Sequence, residues 1–168
     1  DDVFNVYLSM FQYSKGNLKS EVLSDTLIES GSYGIKKVLL NTPYGEKLPI
    51  YLYTPNSVNK KTRTVVLFPG SGSINRESSD QLFNAIPVRL EFLMKINAIV
   101  AIPVYKSTYE RRDGLMNSIP FYDYSYRDRV INWSKDLQLT VDYLETLKIV
   151  DKKDLHYFGF SWGARVAG

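Results

Sequence analysis

Residues 156–168 read HYFGFSWGARVAG, with the pentapeptide GFSWG at 159–163. This G-x-S-x-G pattern is typical of a sharp turn between a strand and a helix, which holds an exposed serine in a strained backbone conformation. The positions two before and two after Ser161 must be small, and Gly159 and Gly163 meet that need. An apolar strand pattern precedes the turn and small residues follow it. A glycine-rich turn in which Ser161 only caps a helix is the alternative interpretation.

The chain before this turn alternates short apolar runs with patterns of helical spacing. Apolar runs without alternation are typical of strands buried on both faces of a parallel sheet. Strands are predicted on this basis at 64–68, 98–104 and 154–160, with helices between them at 79–95 and 126–147. Strands and helices in such repeated order indicate an α/β fold. We therefore expect a three-layer α/β/α sandwich with a mostly parallel sheet.

The N-terminal part of the chain carries a different pattern. Apolar residues at helical spacing predict a helix at 3–13, and a weaker pattern predicts a second helix at 18–29. From Gly34 the pattern changes to two strands joined by a Pro-Tyr-Gly turn, at 35–41 and 47–53. We expect these two strands to form an antiparallel edge of the sheet.

A second glycine-rich segment, FPGSGS, follows the strand predicted at 64–68. Serine-dependent acyl transfer needs N–H donors for the negative charge that develops on the substrate oxygen. One donor comes from the residue after the nucleophile, here Trp162, and the other comes from a loop of this kind. Ser71 is the preferred second donor, and Gly72 is the alternative. The segment does not match the G-x-x-x-x-G-K-[ST] phosphate loop, which argues against a nucleotide-binding domain.

Four stretches of the chain are VVLFPGSGS, PVYKSTYERRDG, YRDRVINWSKDLQLTVDYLET and GFSWGAR. Together they resemble the α/β-hydrolase superfamily, from about residue 35 onward. The branch that they resemble is the dienelactone-hydrolase and prolyl-oligopeptidase-like group, and within it the hydrolase domains found beside some bacterial serine/threonine protein kinases. The resemblance implies a Ser-Asp-His triad with Ser161 as the nucleophile, and oxyanion donors at Trp162 and near Ser71.

The sequence departs from that family where the triad should be completed. In α/β-hydrolases the acid and the histidine follow the serine in chain order, yet only seven residues follow Ser161. The single histidine, His156, precedes Ser161 in the predicted strand, at a distance of about 16 Å that exceeds the reach of a general base. Asp113, Asp123 and Asp128 also precede the serine, so none of them matches the acid of the family.

Polar side chains follow the strand predicted at 98–104, at the carboxyl end where α/β proteins form their sites. Tyr105 is closest to the end of the strand and is the preferred substrate-binding candidate. Five further residues either line the cleft or belong to a solvated loop: Lys106, Tyr109, Glu110, Arg111 and Arg112.

Composition argues against several classes of function. The chain has 168 residues, a formal net charge of +3 and no cysteine. Basic residues never form a run of five or more, so no nucleic-acid surface is predicted. No apolar run approaches the roughly 18 residues that span a bilayer, so no membrane segment is predicted. The absence of cysteine excludes disulfides and thiolate ligands and leaves the compartment undetermined, and no metal or cofactor is predicted.

These features predict part of a serine hydrolase that acts on a small-molecule ester or a related acyl bond. The expected organisation is an N-terminal helical extension at 1–33 and the N-terminal portion of a hydrolase domain at 34–168, truncated after the nucleophile elbow, with acid and histidine beyond the chain end. A non-catalytic binding module that kept the cleft and lost the triad is the alternative. A sheet that stops at the nucleophile strand exposes an edge, so we expect the chain to pair there with the rest of its own chain or with itself. A monomeric, cooperatively melting chain would contradict that expectation.

Overall fold

The computed structural model describes residues 2–13, 18–27, 32–58, 61–84, 87, 90–119 and 124–167. The strands in these ranges are β1 Ser20–Leu27, β2 Tyr33–Asn41, β3 Lys47–Pro55, β4 Thr62–Phe68, β5 Ile99–Pro103 and β6 Val150–Gly159. The α-helices are α1 Asp2–Phe11, α2 Glu91–Lys95, α3 Tyr124–Leu144 and α4 Trp162–Val166. None of these described helices combines the length and the apolar character that crossing a membrane requires.

The strands form one mixed sheet in the order β1-β2-β3-β5-β4-β6. Three pairings, β1 with β2, β2 with β3 and β3 with β5, are antiparallel, whereas β4 is parallel to both β5 and β6. The prediction of a mostly parallel sheet is therefore wrong. A tight turn joins β2 to β3, and such a turn permits only antiparallel pairing, while parallel strands need a long crossover such as α3. The α/β class is retained, and the three-layer arrangement stays a prediction.

The central strands β4 and β5 are buried on both faces, as their continuous apolar sequences predict. On one face Val65 belongs to the same cluster as Leu93 of α2. On the other face Val66 belongs to a cluster with Leu139 and Leu144 of α3. Val65 and Val66 lie on opposite faces because successive side chains of a strand point to opposite sides of the sheet. Because β4, β5 and β6 are parallel, their carboxyl ends meet at one edge of the sheet.

Two helical predictions are wrong. The segment expected to be a weak helix at 18–29 forms β1, because pairing with β2 outweighs a weak local preference. The helix expected at 79–95 is interrupted, with a 3-10 turn at Asp80–Phe83 followed only later by α2. Pro87 lies between them, and proline removes a helical hydrogen bond and clashes with the preceding turn. Other residues of these two segments lie outside the described ranges: 28–29, 85–86 and 88–89.

The remaining predicted strands and helices are confirmed, with boundaries that differ by a few residues. The N-terminal helix α1 lies against α3, where the Gln138 side chain donates to the Phe11 carbonyl at 3.0 Å. In the described part of the sheet, β6 pairs only with β4 and forms one edge. Pairing of that edge with another segment or another copy stays a prediction.

Candidate active site

Ser161 connects β6 to α4 in a conformation that residues with a side chain rarely adopt. Its backbone angles are φ 53° and ψ −107°, and the residue is exposed. A residue held in such a region costs about 1–3 kcal/mol and persists only where its surroundings fix it. A strand, a strained serine and a helix therefore follow one another where the sequence predicts a nucleophile elbow. The catalytic role of Ser161 stays a prediction.

Close backbone contacts of two glycines fix this conformation. A Cβ atom on Gly159 would lie 2.5 Å from the carbonyl group of Gly163. A Cβ atom on Gly163 would lie 2.3 Å from the carbonyl oxygen of Phe68, at the end of β4. The Phe160 N–H donates to the same Phe68 oxygen at 3.1 Å. The turn packs directly on the neighbouring strand because both positions lack a side chain.

Trp162 is the first residue of α4, so its N–H has no acceptor within the helix. The following amide is engaged, because the Gly163 N–H donates to the Phe160 carbonyl at 3.0 Å. The Trp162 ring is buried, and its centroid lies 5.2 Å from that of Phe68 and 5.0 Å from that of Trp133. The helix start is thus anchored by packing, while the amide beside the candidate nucleophile has no intrahelical partner.

The loop after β4 contacts the elbow. A Cβ atom on Gly70 would lie 3.0 Å from the ring of Phe160, so the two segments touch. The N–H and the Oγ of Ser73 both donate to the Gly70 carbonyl, at 3.1 and 2.9 Å. These bonds hold the loop in one conformation beside the turn that carries the serine.

Ser71 and Gly72 are the first two residues of the 3-10 turn Ser71–Ser73 in this loop. Amides at the start of a helical turn have no partner within it, which leaves them available to a ligand. Gly72 is exposed, and nothing lies within 4 Å of where its Cβ would be. Both residues therefore lie at the carboxyl ends of the parallel strands, where Ser161 also lies. Their role as oxyanion donors stays a prediction.

Tyr105 lies inside the protein. It is fully buried, and its ring centroid lies 4.1 Å from that of Phe68. Burial raises the pKa of the Tyr105 hydroxyl, and no partner for that hydroxyl occurs in the described part of the chain. Tyr105 thus packs on Phe68, whose carbonyl oxygen accepts a hydrogen bond from Phe160 at the elbow. Its contact with a substrate stays a prediction.

A partly buried group of charges holds the loop that follows β5, and sequence reasoning missed it. Asp136 of α3 accepts hydrogen bonds from Arg111 Nη1 at 2.6 Å and from the Lys106 N–H at 2.8 Å. The Tyr44 hydroxyl donates to the same carboxylate at 2.8 Å. Glu46 accepts from Lys106 Nζ at 2.6 Å and from Arg111 Nη2 at 2.8 Å. Lys106 and Arg111 therefore tie the loop to α3 and to the β2–β3 turn.

Burial and charge act against each other in this group. Burial raises the pKa of Asp136, and the Arg111 guanidinium opposes that shift. Burial would also raise the pKa of Glu46, but hydrogen bonds from Lys106 and Arg111 lower it below its ordinary value. The sequence does hold a signal of this group. Asp136 lies on the apolar face of an amphipathic helix, where a charge is rare unless it is paired.

The other polar residues of this loop face a different segment. The Glu110 carboxylate accepts from the N–H of Ser79 at 2.9 Å and from its Oγ at 2.7 Å. Arg112 pairs with Glu77 at the surface, at 3.3 Å. Tyr109 is buried and lines a cavity. The loop after β5 is thus fixed from both sides, while Glu110 and Arg112 are exposed.

A cavity of about 560 Å³ opens between this loop and the elbow. Its apolar walls come from β4, β5, β6 and the segment after β4: Leu67, Leu82, Leu90, Ile102 and Phe158. Gly72 and Phe160 line it on the side of the elbow, while Ser161 itself does not line it. Arg76 contributes a charged group to the lining. No sequence pattern indicated this cavity, because its walls come from distant segments.

His156 is an exposed residue of β6, opposite Val65 of β4, and its Nε2 binds Asp154. This arrangement does not support a role for His156 as the base of Ser161. The other acidic candidates are paired with arginines, Asp113 with Arg129 and Asp128 with Arg127, while Asp123 lies outside the described residues. Within the described ranges, no three histidine, aspartate or glutamate side chains lie close enough together to hold a metal ion.

This mixed sheet with its strand, elbow and helix corresponds to part of the α/β-hydrolase fold, as comparison with solved structures shows. A proposed acetyl xylan esterase from Bacteroides fragilis matches with a TM-score of 0.69 and 17% identity, over 99% of this chain and 47% of that one. Acetyl xylan esterase 1 from Thermoanaerobacterium sp. matches with a TM-score of 0.69 and 11% identity, over 99% and 52%. A glucuronoyl esterase from Solibacter usitatus matches with a TM-score of 0.64 and 17% identity, over 97% and 53%.

Prolyl endopeptidases are also similar in structure to this chain. No family model and no curated protein matches it. At these identities the likeness shows the fold alone. The chain spans about half the length of the esterases that it matches.

Proposed function

We propose that this chain supplies the nucleophile and the oxyanion donors of a serine hydrolase that acts on small-molecule esters. The observation that carries the proposal is the exposed, strained Ser161, held between Gly159 and Gly163 at the start of α4. Backbone strain of this kind clusters at active sites. The esterases among the structural neighbours support an ester as the substrate, by analogy of fold.

In the proposed reaction the Oγ of Ser161 attacks the acyl carbon of the ester, and its proton passes to a histidine. The N–H groups of Trp162 and of Ser71 or Gly72 bind the negative charge that forms on the acyl oxygen. The histidine then returns the proton to the departing alcohol. Water hydrolyses the acyl-serine in a second round, in which the histidine again takes and returns a proton.

The histidine and the acid of this reaction are proposed to lie beyond residue 168. His156 is exposed and is bound to Asp154. In α/β-hydrolases both partners follow the serine in chain order. The proposal also keeps the three-layer arrangement and the narrower likeness to hydrolase domains beside bacterial protein kinases. It keeps the hydrolase portion at 34–168 and the extension at 1–33, although that extension contributes β1 to the same sheet.

A serine-reactive fluorophosphonate probe tests this function on a longer form of the protein that includes the residues after Gly168. We expect mass spectrometry to find the label on Ser161, and Ser161→Ala to abolish it. Ser78→Ala is the matched control, since it removes an exposed serine hydroxyl that has no part in the proposed reaction. Residues 1–168 alone should label little or not at all.

Labelling at another residue, or no labelling of a longer form that contains a histidine and an acid after Ser161, would exclude the proposed reaction. The second outcome, in a protein shown to be folded, would favour the non-catalytic binding module.

A further inference from the structure

The cavity beside the elbow combines an apolar body with one charged group at its wall. Leu67, Ile102 and Phe158 present apolar side chains from three neighbouring strands. Arg76 is exposed and lines the same cavity. Its guanidinium lies close enough to Tyr109 to oppose the rise that burial causes in the pKa of that phenol. A volume of about 560 Å³ is within the range of small-molecule sites.

Carboxylates that are close to Arg76 in the sequence, or that like Arg76 shift the pKa of Tyr109, bind other groups in the described structure. Glu77 pairs with Arg112, and Asp80 pairs with Lys37 at 3.0 Å. The Glu110 carboxylate accepts two hydrogen bonds from Ser79. None of the ion pairs formed by described residues includes Arg76. The guanidinium is therefore available to a ligand, and its planar donors suit a carboxylate.

We infer that this cavity binds an amphiphilic anion, with an apolar chain against Leu67, Ile102 and Phe158 and a carboxylate at Arg76. Small-molecule sites in proteins combine mostly apolar walls with a few well-placed polar groups. Because Gly72 and Phe160 connect the cavity to the elbow, a chain bound there extends toward Ser161. The inference rests on the proposed function where it names a substrate class, namely esters that carry a carboxylate at the far end of an apolar chain.

Calorimetric titration of the protein with octanoate and with 1-octanol tests the inference without catalysis. We expect octanoate to bind about tenfold more tightly than octanol, since only the carboxylate can form a charge-assisted hydrogen bond with the Arg76 guanidinium. Arg76→Gln should abolish this preference and leave octanol binding unchanged. Arg112→Gln is the matched control, because this neighbouring exposed arginine does not line the cavity, and it should preserve the preference.

Leu90→Trp fills the cavity from its apolar wall and should weaken both ligands, with circular dichroism to check the fold. Absence of octanoate binding, equal binding of the two ligands, or equal effects of the two arginine variants would overturn the inference. If a longer form of the protein is labelled at Ser161 but does not bind octanoate, the inference about the cavity is wrong and the proposed function is not affected. If the protein binds octanoate but a longer form is not labelled at Ser161, the cavity is a ligand site and the proposed reaction is wrong.

Discussion

The elbow at Ser161 and the loop after β5 both contain strained backbone, but they hold it in different ways. Ser161 has a φ of 53°, and in the β5 loop Ser107 and Tyr109 have φ values of 71° and 48°. At the elbow, backbone contacts of Gly159 and Gly163 fix the strain. In the β5 loop, hydrogen-bonded charges on both sides fix it.

The difference shows why strain alone does not identify a site of chemistry. Contacts between backbone atoms leave the Ser161 hydroxyl exposed and the Trp162 amide without an intrahelical acceptor. In a hydrogen-bonded network the polar groups are already paired with one another, as Arg111 is with Asp136 and Glu46. Such groups are not available to a substrate. The elbow is therefore the better candidate for catalysis, and the β5 loop is its rigid neighbour.

The elbow depends most on Gly163. We expect Gly163→Ala to lower the free energy of unfolding by about 4 kcal/mol or more, because its Cβ would lie 2.3 Å from the Phe68 oxygen and the strand cannot move away cheaply. Urea denaturation measures the loss. Gly72→Ala is the control, since that Cβ would meet open space, and its effect should be small. Similar losses in the two variants would show that the packing of the elbow is not what fixes its conformation.

The β5 loop depends most on Arg111. Arg111→Gln should cost about 3 kcal/mol, because it leaves the fully buried Asp136 without its charged partner. Arg112→Gln, at an exposed ion pair, should change the free energy of unfolding by less than about 1 kcal/mol. Thermal and urea unfolding of both variants check this contrast. A loss in Arg111→Gln no greater than in the control would mean that charges do not hold this loop.

The strain at Ser161 itself should have the smallest effect on stability. Ser161→Gly should raise the free energy of unfolding by about 1 kcal/mol, because glycine adopts a φ of 53° without strain but loses more chain entropy on folding. Ser161→Ala keeps the strain and should leave stability nearly unchanged. Equal stability of the two variants would show that the serine conformation is not strained.

The candidate site was more predictable than the sheet around it. The spacing of Gly159, Ser161 and Gly163 is a local requirement of one turn, so the sequence predicts it directly. The sequence also predicts β4 and β5, since continuous apolar runs require burial on both faces. It did not predict β1, because a strand with weak local preference is decided by its partner β2. The group at Asp136 was missed for a related reason, since Glu46 and Asp136 are 90 positions apart.

Four features could be predicted from the sequence because each depends on neighbouring residues: the elbow, the glycine loop after β4, the helix α3 and the buried central strands. Local sterics and the period of apolar side chains are enough to specify them. Four other features became visible only in the folded chain: the mixed direction of the sheet, the burial of Tyr105, the pairing of Arg111 with Asp136 and the cavity at Arg76. Each of these depends on contacts between segments far apart in the chain, and no local pattern records which distant partner a side chain will meet.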